Sequence, residues 1–120
     1  MKALSLKQPW AELVLQGKKT IELRKWNTNF RGEFFIHASG NIDKEQMKKY
    51  NLNNLPRQAI VGKATLADVK EYKNEKEFLR DSDKHLALDM KWGNFGFILT
   101  NIKRIKPIKY KGQLNFFEVK

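Results

Sequence analysis

Five stretches of this chain, residues 19–24, 33–39, 58–69, 95–102 and 112–119, alternate apolar and polar side chains or run apolar at strand length. That pattern limits the fold more than any other feature, because a two-residue period suits a pleated strand and does not suit a helix. The leading "KALSL" has the same character. "EFFIHAS" is apolar on both faces, which is the mark of a central strand. Helical signals are short by comparison. Pro9 stands where a first turn tolerates proline, Trp10, Leu13 and Val14 follow at helical spacing, and Gly17 sits where such a helix stops. Asp43 with Gln46, and Asn74 with Glu77, have capping-box spacing for two further short helices. Gly62 marks a bulge or bend in its strand, and Pro107 interrupts another. The expectation is a single domain over residues 1–120, mainly β with short helices (α+β). Its strands, about five to six, would close into a β-barrel with the helices at its periphery and residues 9–16 packed on one end.

Charge bears on partners. The net charge is +11, with 7 basic against 3 acidic residues in 1–40, 10 against 9 in 41–90, and 7 against 1 in 91–120. The excess lies at the two ends. Were those ends adjacent in the fold, they would make one basic surface suited to phosphates. The same lysines also serve plain solubility. The basic run "KRIKPIKYK" at 103–111 fits a solvated strand edge as well as a backbone-tracking ridge. With no cysteine, there is neither a disulfide nor a thiolate metal site. Only His37 and His85 are present, without clustered ligands, so no metal or cofactor is expected. His37 and Ser39 share a strand face with Phe35, which fits a hydrogen-bonded core histidine. No apolar window reaches the ~18 residues that span a bilayer. The expectation is a cytoplasmic monomer with no membrane contact.

The segment "KTIELRKW" at 19–26 holds the densest chemistry. Alternation puts Ile21 and Leu23 on one face and Glu22, Arg24 and Trp26 on the other. Lys19 precedes the strand, and its long stem reaches a cleft edge. A solvated face carrying a Glu–Arg pair worth ~0–1 kcal/mol has the same spacing. A ligand site uses the same groups differently: Arg for forked contacts to phosphate or base edges, Trp for stacking, Glu to orient Arg or to act as a base.

"LSLKQPWAELVLQGKKTIELRKWNTNFRGEFFIHAS" resembles the activating signal cointegrator homology (ASCH) domain family. The matching parts, in order, are Ser5, Leu6, Gln8, Pro9, Trp10 and Ala11 of "SLxQPWA", Gly17, Lys19, Glu22 and Arg24 of "GxKxxExR", then Arg31, Gly32 and Ile36 to Ser39. Gly112, Gln113, Leu114 and Glu118 are similar to the family's last strand. The resemblance implies a barrel related to the PUA (pseudouridine synthase and archaeosine transglycosylase) RNA-binding domains, with a cleft between barrel and first helix lined by "GxKxxExR". It implies RNA binding, single-stranded or structured, with DNA as the second candidate polymer. Lys7, Gln8, Trp10, Lys19, Glu22, Arg24, Trp26 and Arg31 are the candidate binding residues. Lys19 and Arg24 would hold a phosphate or base edge, Trp26 or Trp10 would stack, and Lys7, Gln8 and Arg31 would form the rim. One branch of relatives removes acyl groups from modified cytidine with a Lys and a Thr. Lys19 matches that Lys, but Glu22 replaces the Thr nucleophile. The alternative function is therefore a hydrolase of RNA or acylated nucleosides, a ribonuclease or amidohydrolase, with Lys19 and Glu22 as its catalytic pair. A protein-interaction module is a third.

Overall fold

The alternating stretches assemble into one six-stranded sheet in the computed structural model, which describes residues 1–120. In chain order the elements are β1 (Lys2–Gln8), α1 (Trp10–Leu15), β2 (Ile21–Arg24), β3 (Gly32–Ile42), α2 (Lys44–Lys49) and β4 (Ala59–Glu71). There follow α3 (Glu75–Arg80), α4 (Ser82–His85), a 3-10 turn (Met90–Trp92), β5 (Phe95–Lys109) and β6 (Phe116–Glu118). The spatial order is β2-β5-β4-β3-β1-β6. Only β1 and β3 run parallel, and α1 with β2 makes the long connection that a parallel pair requires.

Period-two alternation fills the main core. Leu4 and Leu6 of β1, Phe34, Ile36 and Ala38 of β3, Ala64 and Leu66 of β4, and Phe97 and Leu99 of β5 meet Ala11 and Val14 of α1. Burying a side chain such as the fully enclosed Phe34 contributes on the order of 1.5–3 kcal/mol. A smaller cluster of Ile21, Leu23, Tyr72, Phe78 and Ala87 fastens β2 to the segment that carries α3 and α4.

Turn chemistry follows the residues expected of it. α1 ends on Gly17 at φ +78°, where Gly17 N–H reaches Val14 O and Lys18 N–H reaches Leu13 O, each at 3.0 Å. This is a Schellman closure, which wants glycine. Asp43 Oδ1 accepts Gln46 N–H at 3.1 Å, and Asn74 Oδ1 accepts Glu77 N–H at 2.9 Å. Gln46 Oε1 has no partner, so the first cap forms only half of its box.

Barrel closure is the expectation that the structure corrects. β2 is hydrogen-bonded only to β5, and β6 only to β1, so the sheet curls without closing. With four and three residues, these edge strands are too short to build a ladder across the seam. Side chains span it instead. Arg24 Nη2 of β2 donates to Ser5 O of β1 at 2.6 Å. Trp26 meets Phe97 and Phe116 edge-on, at 5.3 and 6.0 Å between ring centroids. Pro107 interrupts its strand without ending it. The β4–β5 register passes from Gly62↔Arg104 to Ile60↔Ile108, so the proline falls in an irregularity where no ladder donor is needed.

Gly62 has a packing role at that irregularity. A Cβ there would lie 2.5 Å from Leu15 Cδ2 and 2.6 Å from Lys103 O. Gly62→Ala is expected to lower stability by about 1–3 kcal/mol in chemical denaturation. Leu15→Ala in the same chain should restore only part of the loss, because the carbonyl clash remains.

Candidate functional site

The open seam is the mouth of a cavity of about 470 Å³. β1 contributes Ser5 and Lys7, α1 contributes Trp10, and the β2 region contributes Lys19, Glu22, Leu23, Arg24, Lys25 and Trp26. The far wall is His85, Ala87, Lys91 and Trp92.

Lys19 is delivered by the end of α1. Its backbone N–H bonds Leu13 O at 3.1 Å, and its side chain then runs inward, only 3% exposed. Nζ donates to His85 O at 2.8 Å and sits 4.9 Å from the Trp10 ring centre. Glu22 lies between two cations, with Oε1 3.6 Å from Lys19 Nζ and Oε2 3.1 Å from Arg24 Nη2. Burial pushes the Lys19 amine below the usual lysine range. Glu22 opposes that fall, and the charge of Arg24 adds to it. Arg24 is 19% exposed, and its Nε is buried without a partner. Such an unsatisfied donor is unusual in a folded interior.

Aromatic surface frames these charges. Trp10 and Trp92 meet at 71° with centroids 6.2 Å apart, and Lys91 Nζ lies 5.0 Å from the Trp92 ring. Arg24 Cζ is 6.0 Å from the ring centre of Trp26. Lys7, Lys25 and Lys91 are exposed around the opening. The site therefore joins cationic donors to indole faces, a combination suited to a ligand with both negative charge and flat rings.

Of the candidate residues, Lys7, Trp10, Lys19, Glu22, Arg24 and Trp26 are brought together here. Gln8 and Arg31 do not line this cavity, contrary to the expected rim position. Gln8 is 1% exposed, accepts Glu12 N–H on Oε1 at 3.0 Å and donates to Pro56 O at 2.9 Å. It anchors the start of α1. Arg31 Nη1 is taken up by the carbonyls of Thr28 and Phe30, and its Nη2 lies 3.4 Å from Asp68. The basic run 103–111 also lies outside the cavity. Within it, Arg104 grips Glu12 through two bonds of 2.9 and 2.8 Å. That pairing holds the Glu12 carboxyl below the usual range despite partial burial.

No periodicity or motif in the sequence assigns the far wall to a site. "DSDKHLALDMKW" has no sustained period, and α4 is a single turn that follows Asp81. Lys84 N–H and His85 N–H bond Asp81 O at 2.8 and 3.0 Å, while Asp81 Oδ2 accepts Tyr72 Oη–H at 2.6 Å. The adjacent pair Lys91–Trp92 was the one local signal available.

Residues 4–113 match the family model described as the ASCH domain. The chain belongs to the ASCH domain family. A stretch of 37 residues, 31% of this chain, is 49% identical to Activating signal cointegrator 1 of Mus musculus and spans 6% of that protein. The ASCH protein of Zymomonas mobilis shares the fold over 99% of this chain and 87% of its own, at TM-score 0.70 and 15% identity. A single-site variant of that protein superposes at TM-score 0.73, covering 99% of this chain and 89% of its own at 15% identity.

In this ASCH domain, His85 closes one wall of the cavity in a defined tautomer. Nε2 donates to Phe78 O at 2.7 Å, and Nδ1 accepts Ala87 N–H at 3.1 Å. Burial holds its pKa below the usual histidine value, and Lys19 adds to the fall, against the opposing bond to Phe78 O and nearby carboxylates. The folded state thus prefers neutral His85. Its contribution is complete above the unfolded value of about 6.5 and is lost as pH falls through the lower folded value. Melting temperature is expected to fall from pH 7 toward pH 5, with a smaller fall in His85→Gln. Equal falls in the two proteins would remove His85 as the cause.

Proposed function

We propose that this ASCH domain binds RNA, single-stranded or structured, in the cavity at the open seam. The observation that carries the proposal is the joining of Lys19, Arg24 and the rim lysines to the faces of Trp10, Trp26 and Trp92 around one cavity. Phosphate would take the exposed cations, and a base displaced from its stack would enter between the indoles. Arg24 Nη1 makes no bond within the chain and is the donor left for an oxygen of the ligand, Nη2 being taken by Ser5 O and Glu22. Glu22 holds the guanidinium in place.

Rim and interior should separate in experiment. Lys7→Ala and Lys25→Ala are exposed changes and should leave the melting temperature within a degree or so of the parent, since surface substitutions move stability by about 0.5 kcal/mol or less. Each should weaken single-stranded RNA binding and shallow the log–log salt dependence by about 0.7. A salt series that shows no binding at low ionic strength, or no slope, would refute the proposal. Arg24→Ala should cost roughly 1–3 kcal/mol of affinity. Because Arg24 also bridges to Ser5 O, it should lose a similar amount of stability, about 1.5–3 kcal/mol for a bond to a charged group.

One observation favours a second function, hydrolysis of RNA or an acylated nucleoside. Lys19 is a buried amine with a lowered pKa, 3.6 Å from a carboxylate in the same cavity. That pairing suits acid–base work. Glu22→Gln distinguishes the two. A binding module keeps most of its RNA affinity, whereas a hydrolase loses turnover of an acylated nucleoside or RNA far more than it loses binding.

A further inference from the structure

A second cavity, about 320 Å³, opens on the outer face of β1 and β3 beneath the chain entering β6. It shares Ser5 with the first cavity, so the two are neighbours across one residue of β1. Their chemistries differ. No lysine, arginine or carboxylate lines the second, whose polar groups are the hydroxyls of Ser5 and Ser39 and the amides of Asn41, Gln58 and Gln113.

The floor is fixed by one buried ring. His37 is fully buried, and its Nε2 faces Tyr110 O at 2.7 Å. A carbonyl only accepts, so Nε2 carries the proton and Nδ1 of the neutral ring accepts from Ser5 Oγ–H at 2.7 Å. Ser5 Oγ is then left with acceptor lone pairs only. Gly112 closes against this pair, since a Cβ there would be 2.7 Å from His37 Cε1 and 2.8 Å from Ser5 Oγ. Gln58 is held at φ +50°, an uncommon conformation for a residue with a side chain. Its amide lies across β3 where any Cβ on residue 40 would be 2.7 Å from Nε2. In contrast, the side-chain amides of Asn41 and Gln113 make no bond within the protein and are exposed at the opening. Leu114, 89% exposed, adds an apolar edge, and the exposed Lys109 and Lys111 lie just before this loop in the chain.

We infer that this second cavity is a subsite for the uncharged base of the nucleotide next to the one held at the seam, a step that rests on RNA binding there. Amides present a donor and an acceptor together, which matches the hydrogen-bonding edge of a nucleobase and gives a phosphate no countercharge. The chain of the ligand crosses Ser5. Its phosphates stay over the flanking lysines, while successive bases drop into the indole-lined cavity and then into the amide-lined one.

The test is the double variant Asn41→Ala/Gln113→Ala, whose side chains hold nothing else in the fold. Its probes are adenosine, cytidine and uridine 5′-monophosphates and labelled homopolymers of the same bases about eight nucleotides long. The variant is expected to bind the best homopolymer about five- to twenty-fold more weakly, the scale of one or two lost hydrogen bonds. Its salt slope should equal that of the parent, and its affinity for monophosphates should not change. Unchanged affinity for all homopolymers, an equal loss for monophosphates, or a shallower salt slope would each overturn the subsite. If the parent protein binds no homopolymer, RNA binding at the seam fails and the subsite falls with it. Failure of the subsite alone is marked by normal homopolymer binding in both proteins.

Discussion

The carboxylate of Glu22 holds the site together. It lies between Lys19 and Arg24, and Arg24 in turn bonds the carbonyl of Ser5 across the seam that the sheet leaves open. The lysine is anchored at its other side by His85 O, so one short chain of contacts ties β2 to β1 and to α4. A backbone ladder at this place would have closed the sheet and filled the cavity. Spanning the gap with a side chain leaves room beside it.

This arrangement is unfavourable by the usual measure of buried charge. Removing Lys19 and Glu22 from water costs several kcal/mol per ion before their attraction is counted, and such groups seldom add net stability. The depressed lysine and the unpartnered Arg24 Nε are signs of that cost. Apolar packing offsets it: Ile21 and Leu23 sit under the charges in the cluster with Tyr72 and Phe78. Charges maintained against their own solvation, in a cavity walled by indoles, are what a binding or catalytic site contains. The pair of Arg104 with Glu12 is different, since Arg104 is half exposed and neither residue lines the cavity at the seam.

Membership of the ASCH family and the main elements of the fold were legible because local rules governed them. Gly17 closes α1, Asp43 and Asn74 cap their helices, and alternation in residues 21–24 puts Ile21 and Leu23 in the apolar cluster and Glu22 and Arg24 at the cavity, whose wall Leu23 also reaches. Misreadings arose where a residue obeys a local pattern but is claimed by a distant partner. Gln8 sits among binding candidates in sequence, yet Pro56 and the start of α1 hold it. Arg31 is consumed by its own turn and Asp68. Pro107 interrupts the ladder as its chemistry requires, and β4 pairs on past it through Ile60 and Ala59.

By itself the sequence determined the mainly β class with about five to six strands, the two faces of β2 and the identity of the charged group at residues 19–24, because each depends on neighbours a few positions away. Whether the sheet closes was decided only in three dimensions, by edge strands too short to pair and by Arg24 reaching Ser5. The far wall was decided there as well. His85, Lys91 and Trp92 have no periodicity to mark them: His85 is held by the bonds of Asp81 to Tyr72 and of Thr20 N–H to Lys84 O, and Trp92 by packing on the cluster of Ile21 and Leu23. Hydrogen bonds and packing between residues far apart in the chain fixed that position, and no local pattern encodes them.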